Sequence, residues 1–124
     1  MIANDPGARL RVTELRLRRA DKCLDVAFED GARFELPAEL LRVESPSAEV
    51  KGHGGPKRIV GGRRHVGILG LEAVGHYAVR IRFDDLHDTG LFTWAYLREL
   101  GERRTEIWDA YVKALAEHGL SREP

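Results

Sequence analysis

One cysteine, one methionine and no long apolar run set the first limits on this 124-residue chain. A lone Cys23 cannot close an internal disulfide, so a reducing compartment is the expected home. The opening Met1 to Pro6 has neither the basic end nor the apolar stretch of a secretory leader, and the expectation is a cytoplasmic protein. Charges interrupt every apolar stretch well short of the roughly 18 residues a bilayer span needs, so no membrane association is expected. An excess of one charge sign is also missing. Twenty basic and twenty acidic side chains cancel, leaving no overall field to hold nucleic acid. What is present is 43% hydrophobic residues, sufficient for one core without metals or disulfides but not for two. One domain over residues 1–124 is expected.

The apolar pattern has a period of two in the first half. Thr13 to Arg18 alternates Leu15 and Leu17 against Glu14, Arg16 and Arg18, as a half-buried strand requires. Cys23 to Phe28 and Ala32 to Leu36 flank Asp30-Gly31 and predict a β-hairpin. Pro37 is placed as the first residue of a short helix to Val43, and Ser45-Pro46 opens a second, with Ser45 as its cap. Lys51 to Arg64 holds five glycines, five Lys or Arg and no acid, with Ile59 and Val60 its only large apolar residues, and it reads as a mobile loop. His65 to Val74 and Tyr77 to Phe83 form a second hairpin around Gly75-His76, expected at the centre of the sheet. Thr93 caps a helix from Trp94 to Leu100 that Gly101 stops. A last helix, Glu102 to Glu117, carries a stripe of Ile107, Trp108, Tyr111, Val112 and Leu115 and ends at Gly119. The class is therefore α+β: a small, mostly antiparallel sheet built from two hairpins, short helices after the first hairpin, and a C-terminal helix pair.

Four groupings could carry chemistry. Asp84, Asp85, His87 and Asp88 gather oxygens and an imidazole that suit iron or zinc, with His76 expected nearby across the hairpin. Their spacing matches no calcium loop and no HExxH motif, and the plainer reading is a solvated turn whose carboxylates accept backbone amides. Lys57, Arg58, Arg63 and Arg64 among glycines could cradle an anion, but the order is not that of a P-loop, and stacking aromatics for RNA are missing. Strand alternation puts Cys23 with Asp25 and Ala27 opposite Leu24 and Val26, partly exposed on this reading, although a structural cysteine is commoner than a reactive one. Trp94, Tyr96 and Trp108 read as core before they read as a ligand box. No nucleophile, base and orienting group assemble into a catalytic set, so no enzyme activity is expected.

Three stretches carry a family resemblance: Leu41-Arg42-Val43-Glu44-Ser45-Pro46-Ser47-Ala48-Glu49 with Gly52-His53, then Val74 through Asp85, then His87-Asp88-Thr89-Gly90-Leu91-Phe92-Thr93-Trp94. Together, and in this order, they resemble the gamma-butyrobetaine hydroxylase-like N-terminal domain, over about Thr13 to Gly101. The resemblance implies a domain that, in the carnitine-pathway hydroxylases, precedes an iron- and 2-oxoglutarate-dependent oxygenase and binds zinc through three cysteines and a histidine. The cysteine positions fall on Ser45, Ser47 and Val50 and the histidine on His87. Serine and valine supply no thiolate, so that three-cysteine zinc site is expected to be lost. The family's Asn and Asp stand here as His76 and Ala95. Similar stand-alone domains occur in bacteria, and fusion to ATPases that carry iron–sulfur clusters implies an accessory role. One cysteine could hold a cluster only by sharing it.

Two functions follow as expectations. The first is a non-catalytic module that binds a protein partner, a metalloenzyme or iron–sulfur assembly factor, through Ser45, Ser47, Glu49, His53, His87, Thr89 and Trp94. The second is a metal-binding auxiliary protein holding iron or zinc on His87 with Asp84, Asp85 or His53. A free-standing oxygenase would need a barrel the chain has no length to build.

Overall fold

The structure, a computed structural model, describes residues 11–46 and 59–124. Strands β1 (Val12–Arg18), β2 (Cys23–Phe28) and β3 (Arg33–Pro37) form one antiparallel sheet in that order. Helix α1 (Ala38–Val43) follows directly. Strands β4 (Ile68–Val74), β5 (Ala78–Phe83) and β6 (Leu91–Thr93) form a second antiparallel sheet, and α2 (Trp94–Glu102) and α3 (Arg104–Glu117) complete the chain order. The α+β class and both hairpins agree with the sequence pattern. The strand expected at Thr13 to Arg18 joins the first hairpin as β1, and β6 is added to the second, so β5 is central to its own sheet of three.

The period-two pattern explains the core. Leu24, Val26 and Phe28 from β2 and Val79, Ile81 and Phe83 from β5 are all buried and belong to one cluster with Leu36, Leu40, Leu41, Phe92, Leu97 and Leu100. The two sheets therefore share a single apolar interior. Outside it, Arg19 Nη2 and Lys22 Nζ reach across to the carbonyls of Leu69 and His65, each at 2.8 Å.

Helix ends differ from the sequence reading in informative ways. Pro37 is extended (φ −64°, ψ 146°) and precedes α1 rather than opening it. It is the last residue of β3, opposite Cys23. Thr93 caps α2 as expected, accepting from the Tyr96 amide at 3.1 Å. Gly101 does not stop that helix, which runs on to Glu102. Its glycine is required by packing instead: a Cβ there would lie 2.4 Å from Cγ of Phe34. Phe34 in turn meets Phe28 edge-on at 5.9 Å, and the Arg98 guanidinium lies over both rings. At the end of α3, Leu120 N–H donates to Leu115 and Gly119 N–H to Ala116, with Gly119 at φ +67°, the hydrogen-bond pair of a glycine-terminated helix. Of the expected stripe on α3, Tyr111 and Leu115 are buried, Ile107 and Trp108 half-buried, and Val112 exposed.

Gly101→Ala is expected to destabilise the fold by about 1–3 kcal/mol, because the ring stem of Phe34 cannot swing clear without losing its packing. Urea denaturation would read the loss, and an unchanged midpoint would contradict this packing role.

Candidate functional site

The acidic turn follows β5, and its hydrogen bonding repeats that of the loop between β2 and β3. In the β2–β3 loop, Phe28 N–H donates to Ala32 (2.8 Å), Gly31 N–H to Phe28 (3.0 Å), and Ala32 N–H to Asp30 Oδ1 (3.1 Å). After β5, Phe83 N–H donates to His87 (3.0 Å), Leu86 N–H to Phe83 (3.1 Å), and His87 N–H to Asp85 Oδ1 (3.1 Å). Both loops place their third residue in the left-handed region, where a side chain is costly. The first uses Gly31 at φ +93°; the second uses Leu86 at φ +74°. Leu86 is also 84% exposed, so burial of its side chain offsets none of that strain.

Asp85 fixes this turn to the rest of the protein. Its Oδ2 accepts from Arg42 Nε at 2.7 Å, and Arg63 Nε lies 2.7 Å from the same oxygen as an ion pair. Arg42 is 7% exposed, and its Nη1 has no hydrogen-bond partner among the described residues. Burial works to raise the Asp85 carboxyl, but the hydrogen bonds from Arg42 and the His87 amide, with the charges of Arg42 and Arg63, outweigh it. Its pKa lies below the ordinary range.

His87 and Ser45 are buried together, with Oγ and Nε2 3.0 Å apart. Gly90 closes over them, and a Cβ at that position would lie 2.0 Å from Ser45 Oγ. Tyr96 OH donates to the carbonyl of Glu44 at 2.5 Å, holding the chain just before Ser45 from α2.

The expected site residues therefore divide. Ser45 and His87 are brought together but lie inside, so in this arrangement neither is a contact surface. Ser45 is not a helix cap, since its hydroxyl meets His87. Thr89 is exposed, and Trp94 is half-buried with Nε1–H donating to the His76 carbonyl at 2.7 Å. Asp84 is exposed, and its side chain lies against Gly67. Ser47, Val50, Glu49 and His53, with Lys57 and Arg58, lie outside the described residues. His76 does not join the acidic turn, because it precedes β5 and the turn follows it, roughly 17 Å away along a strand of that length. Ile59 to Arg64, read as part of a mobile loop, is anchored: Ile59 and Val60 pack against Val43, Tyr111 and Leu115, and Arg63 and Arg64 pair with Asp85 and Glu123.

The donor set does not fit the zinc the family resemblance implies, since Ser45 and His87 satisfy one another. For iron or zinc, the two guanidiniums would have to leave Asp85. Among the described residues one group does converge, Cys23, Asp25 and Glu35, with ligand atoms all within 4.8 Å of one another. A cation already sits there. Arg18 lies 3.0 Å from Asp25 Oδ2 through Nε, donates to Asp21 at 2.8 Å and pairs with Glu35. Cys23 is 6% exposed rather than partly open, and burial pushes its thiol pKa up, away from thiolate chemistry. Arg63 was expected in an anion cradle and instead pairs with Asp85, while Arg42 and Gly90 were not singled out as site residues from the sequence.

The family model described as "Gamma-butyrobetaine hydroxylase-like, N-terminal" matches residues 15–98. A solution NMR structure aligns at 45% identity and a TM-score of 0.82, covering 94% of this chain and 92% of that one. A second aligns at 41% identity and 0.82, covering 100% and 91%. A crystal structure from Acidithiobacillus ferrooxidans, of a protein of unknown function in the DUF971 family, aligns at 39% identity and 0.64, covering 79% and 98%. No curated protein matches the chain.

The depressed Asp85 pKa fixes the sign of a pH effect. Its contribution to stability is complete above the unfolded value of about 3.9 and disappears as pH falls through the lower folded value. Unfolding free energy measured from pH 6 to pH 3 is therefore expected to drop on acidification, and Asp85→Asn to flatten that drop. Parallel profiles for the two proteins would contradict the ion-pair account.

Proposed function

Because the chain belongs to the gamma-butyrobetaine hydroxylase-like N-terminal family, we propose that it is a non-catalytic interaction domain that presents the Asp84–Asp88 turn to a protein partner. The observation that carries this reading is Leu86. The same loop is built twice, and the copy that needs glycine on steric grounds holds a leucine that the fold does not bury. Backbone strain of this kind persists where the surroundings over-determine it, and it concentrates at binding sites. Here Asp85, Arg42 and Arg63 supply the over-determination. A rigid apolar knob flanked by the exposed carboxylates of Asp84 and Asp88 fits an apolar pocket with a basic rim. On the family resemblance, the partner is a metalloenzyme or an iron–sulfur assembly factor. Ser45, His87 and Gly90 act beneath this surface by setting the path of the chain that leaves the turn.

Leu86→Gly separates binding from folding. It is expected to leave stability unchanged or raise it by up to about 1 kcal/mol through relief of strain, while a partner captured from native extract by the wild-type chain is lost. Val112→Ala, at an exposed apolar position on α3, is the control and is expected to retain the partner. Equal capture by wild type and Leu86→Gly would sink the proposal.

A further inference from the structure

A cleft of about 270 Å³ lies between α1, α3 and the segment that follows α3, lined by Glu39, Leu40, Arg104, Trp108, Asp109 and Arg122 among others. At its base is an unusual carboxylate. Glu39 is 7% exposed, and a carboxylate this buried must be matched by a cation with good geometry. The match comes from 83 positions away in the sequence: Arg122 Nε donates to Oε2 at 2.8 Å and Nη2 to Oε1 at 2.7 Å, a two-pronged contact. The Arg122 guanidinium also lies over the Trp108 ring, 5.1 Å from its centroid. A buried carboxylate that accepts two parallel N–H groups, beside an aromatic face, is the chemistry that selects a guanidinium over an ammonium.

The two sides of this contact are held very differently. Glu39 and Trp108 stand on helices packed on the two apolar clusters. Arg122 stands on an irregular segment. Its neighbours Leu120, Ser121, Glu123 and Pro124 are exposed or half-exposed, tied by backbone donation from Gly62 to Ser121 and from Arg64 to Arg122 and by the Arg64–Glu123 ion pair. Segments with little buried apolar area and solvent-accessible hydrogen bonds open at low free-energy cost. The receptor stands on packed helices, and its occupant on an exposed segment.

We infer that this cleft is a guanidinium-binding site, filled in this structure by Arg122, and that an arginine on an extended segment of a partner protein takes the same place when the Leu120–Pro124 segment lifts away. The inference is independent of the Leu86 turn.

The test uses the full chain and ethylguanidinium as the probe, followed through the Trp108 indole NMR signal and thermal unfolding. Arg122→Ala is expected to bind the probe saturably, with the indole signal moving and the unfolding midpoint rising. Wild type is expected to need at least about tenfold more probe, because its own Arg122 must first leave Glu39. Ethylammonium, and the Glu39→Gln/Arg122→Ala double variant with either probe, are expected to give no saturable response. If Arg122→Ala does not fold, Arg122→Lys serves in its place, since it keeps a charge without the two-pronged contact. A folded variant that shows no saturation, or that responds equally to ethylammonium or without Glu39, would overturn the inference and leave Glu39–Arg122 as an internal ion pair alone.

Discussion

A six-residue helix that is buried at every position yet carries two charges is the constraint on which the rest of this structure depends. All of Ala38 to Val43 is buried, including Glu39 and Arg42. Neither charge can be left unmatched in that setting, because an uncompensated buried ion costs several kcal/mol. Glu39 is matched by Arg122 and Arg42 by Asp85, from segments 83 and 43 positions away. The helix therefore ties the segment after α3 and the turn after β5 to the first sheet. Arg63, on the same Asp85 oxygen, adds Ile59 to Arg64 to the same knot. A short helix with three apolar partners would bury as much surface and specify far less about where the long-range segments must go.

The turn after β5 gains its rigidity from this arrangement. Its hydrogen bonds are those of the Asp30-Gly31 loop, and each aspartate holds a distant arginine, Arg98 on Asp30 and Arg42 with Arg63 on Asp85, but Asp84 to His87 holds a leucine where the first loop has glycine. The difference in cost is met through Asp85, whose second oxygen is available for the arginines because the first already accepts the His87 amide. The Ser45–His87 contact and the close approach of Gly90 then fix where the chain goes next. Ser45, His87 and Gly90, from the stretches that carry the family resemblance, thus form a buried scaffold beneath the turn, and exposed Leu86 has no motif of its own.

This explains what was legible in the sequence. Strands and hairpins were, because Leu15 and Leu17, or Val79, Ile81 and Phe83, alternate with charges on a two-residue period that only a half-buried strand satisfies. The Asp30-Gly31 turn was legible because glycine advertises a left-handed residue. Asp85-Leu86 was not, although its geometry is the same, because leucine is a poor indicator of that conformation. Gly101 was misread as a helix stop, since proximity to Phe34, 67 positions away, leaves no local trace. Pairing of Glu39 with Arg122 and of Arg42 with Asp85 is equally long-range, and a sequence rich in both signs of charge offers many alternatives of equal local merit. Ser45 and His87 were placed on one site through the family resemblance, but periodicity alone could not show that both would be buried.

The central claim is that the charges of α1 are coupled to distant segments rather than merely tolerated. A double-mutant cycle on Arg42→Met and Asp85→Asn, read by urea denaturation at neutral pH, measures that coupling directly. A coupling energy of about 2 kcal/mol, with the double variant more stable than the sum of the single losses implies, is the expected result. Additive losses within about 0.3 kcal/mol would mean that the pair is incidental to the fold and that the turn is held by something else.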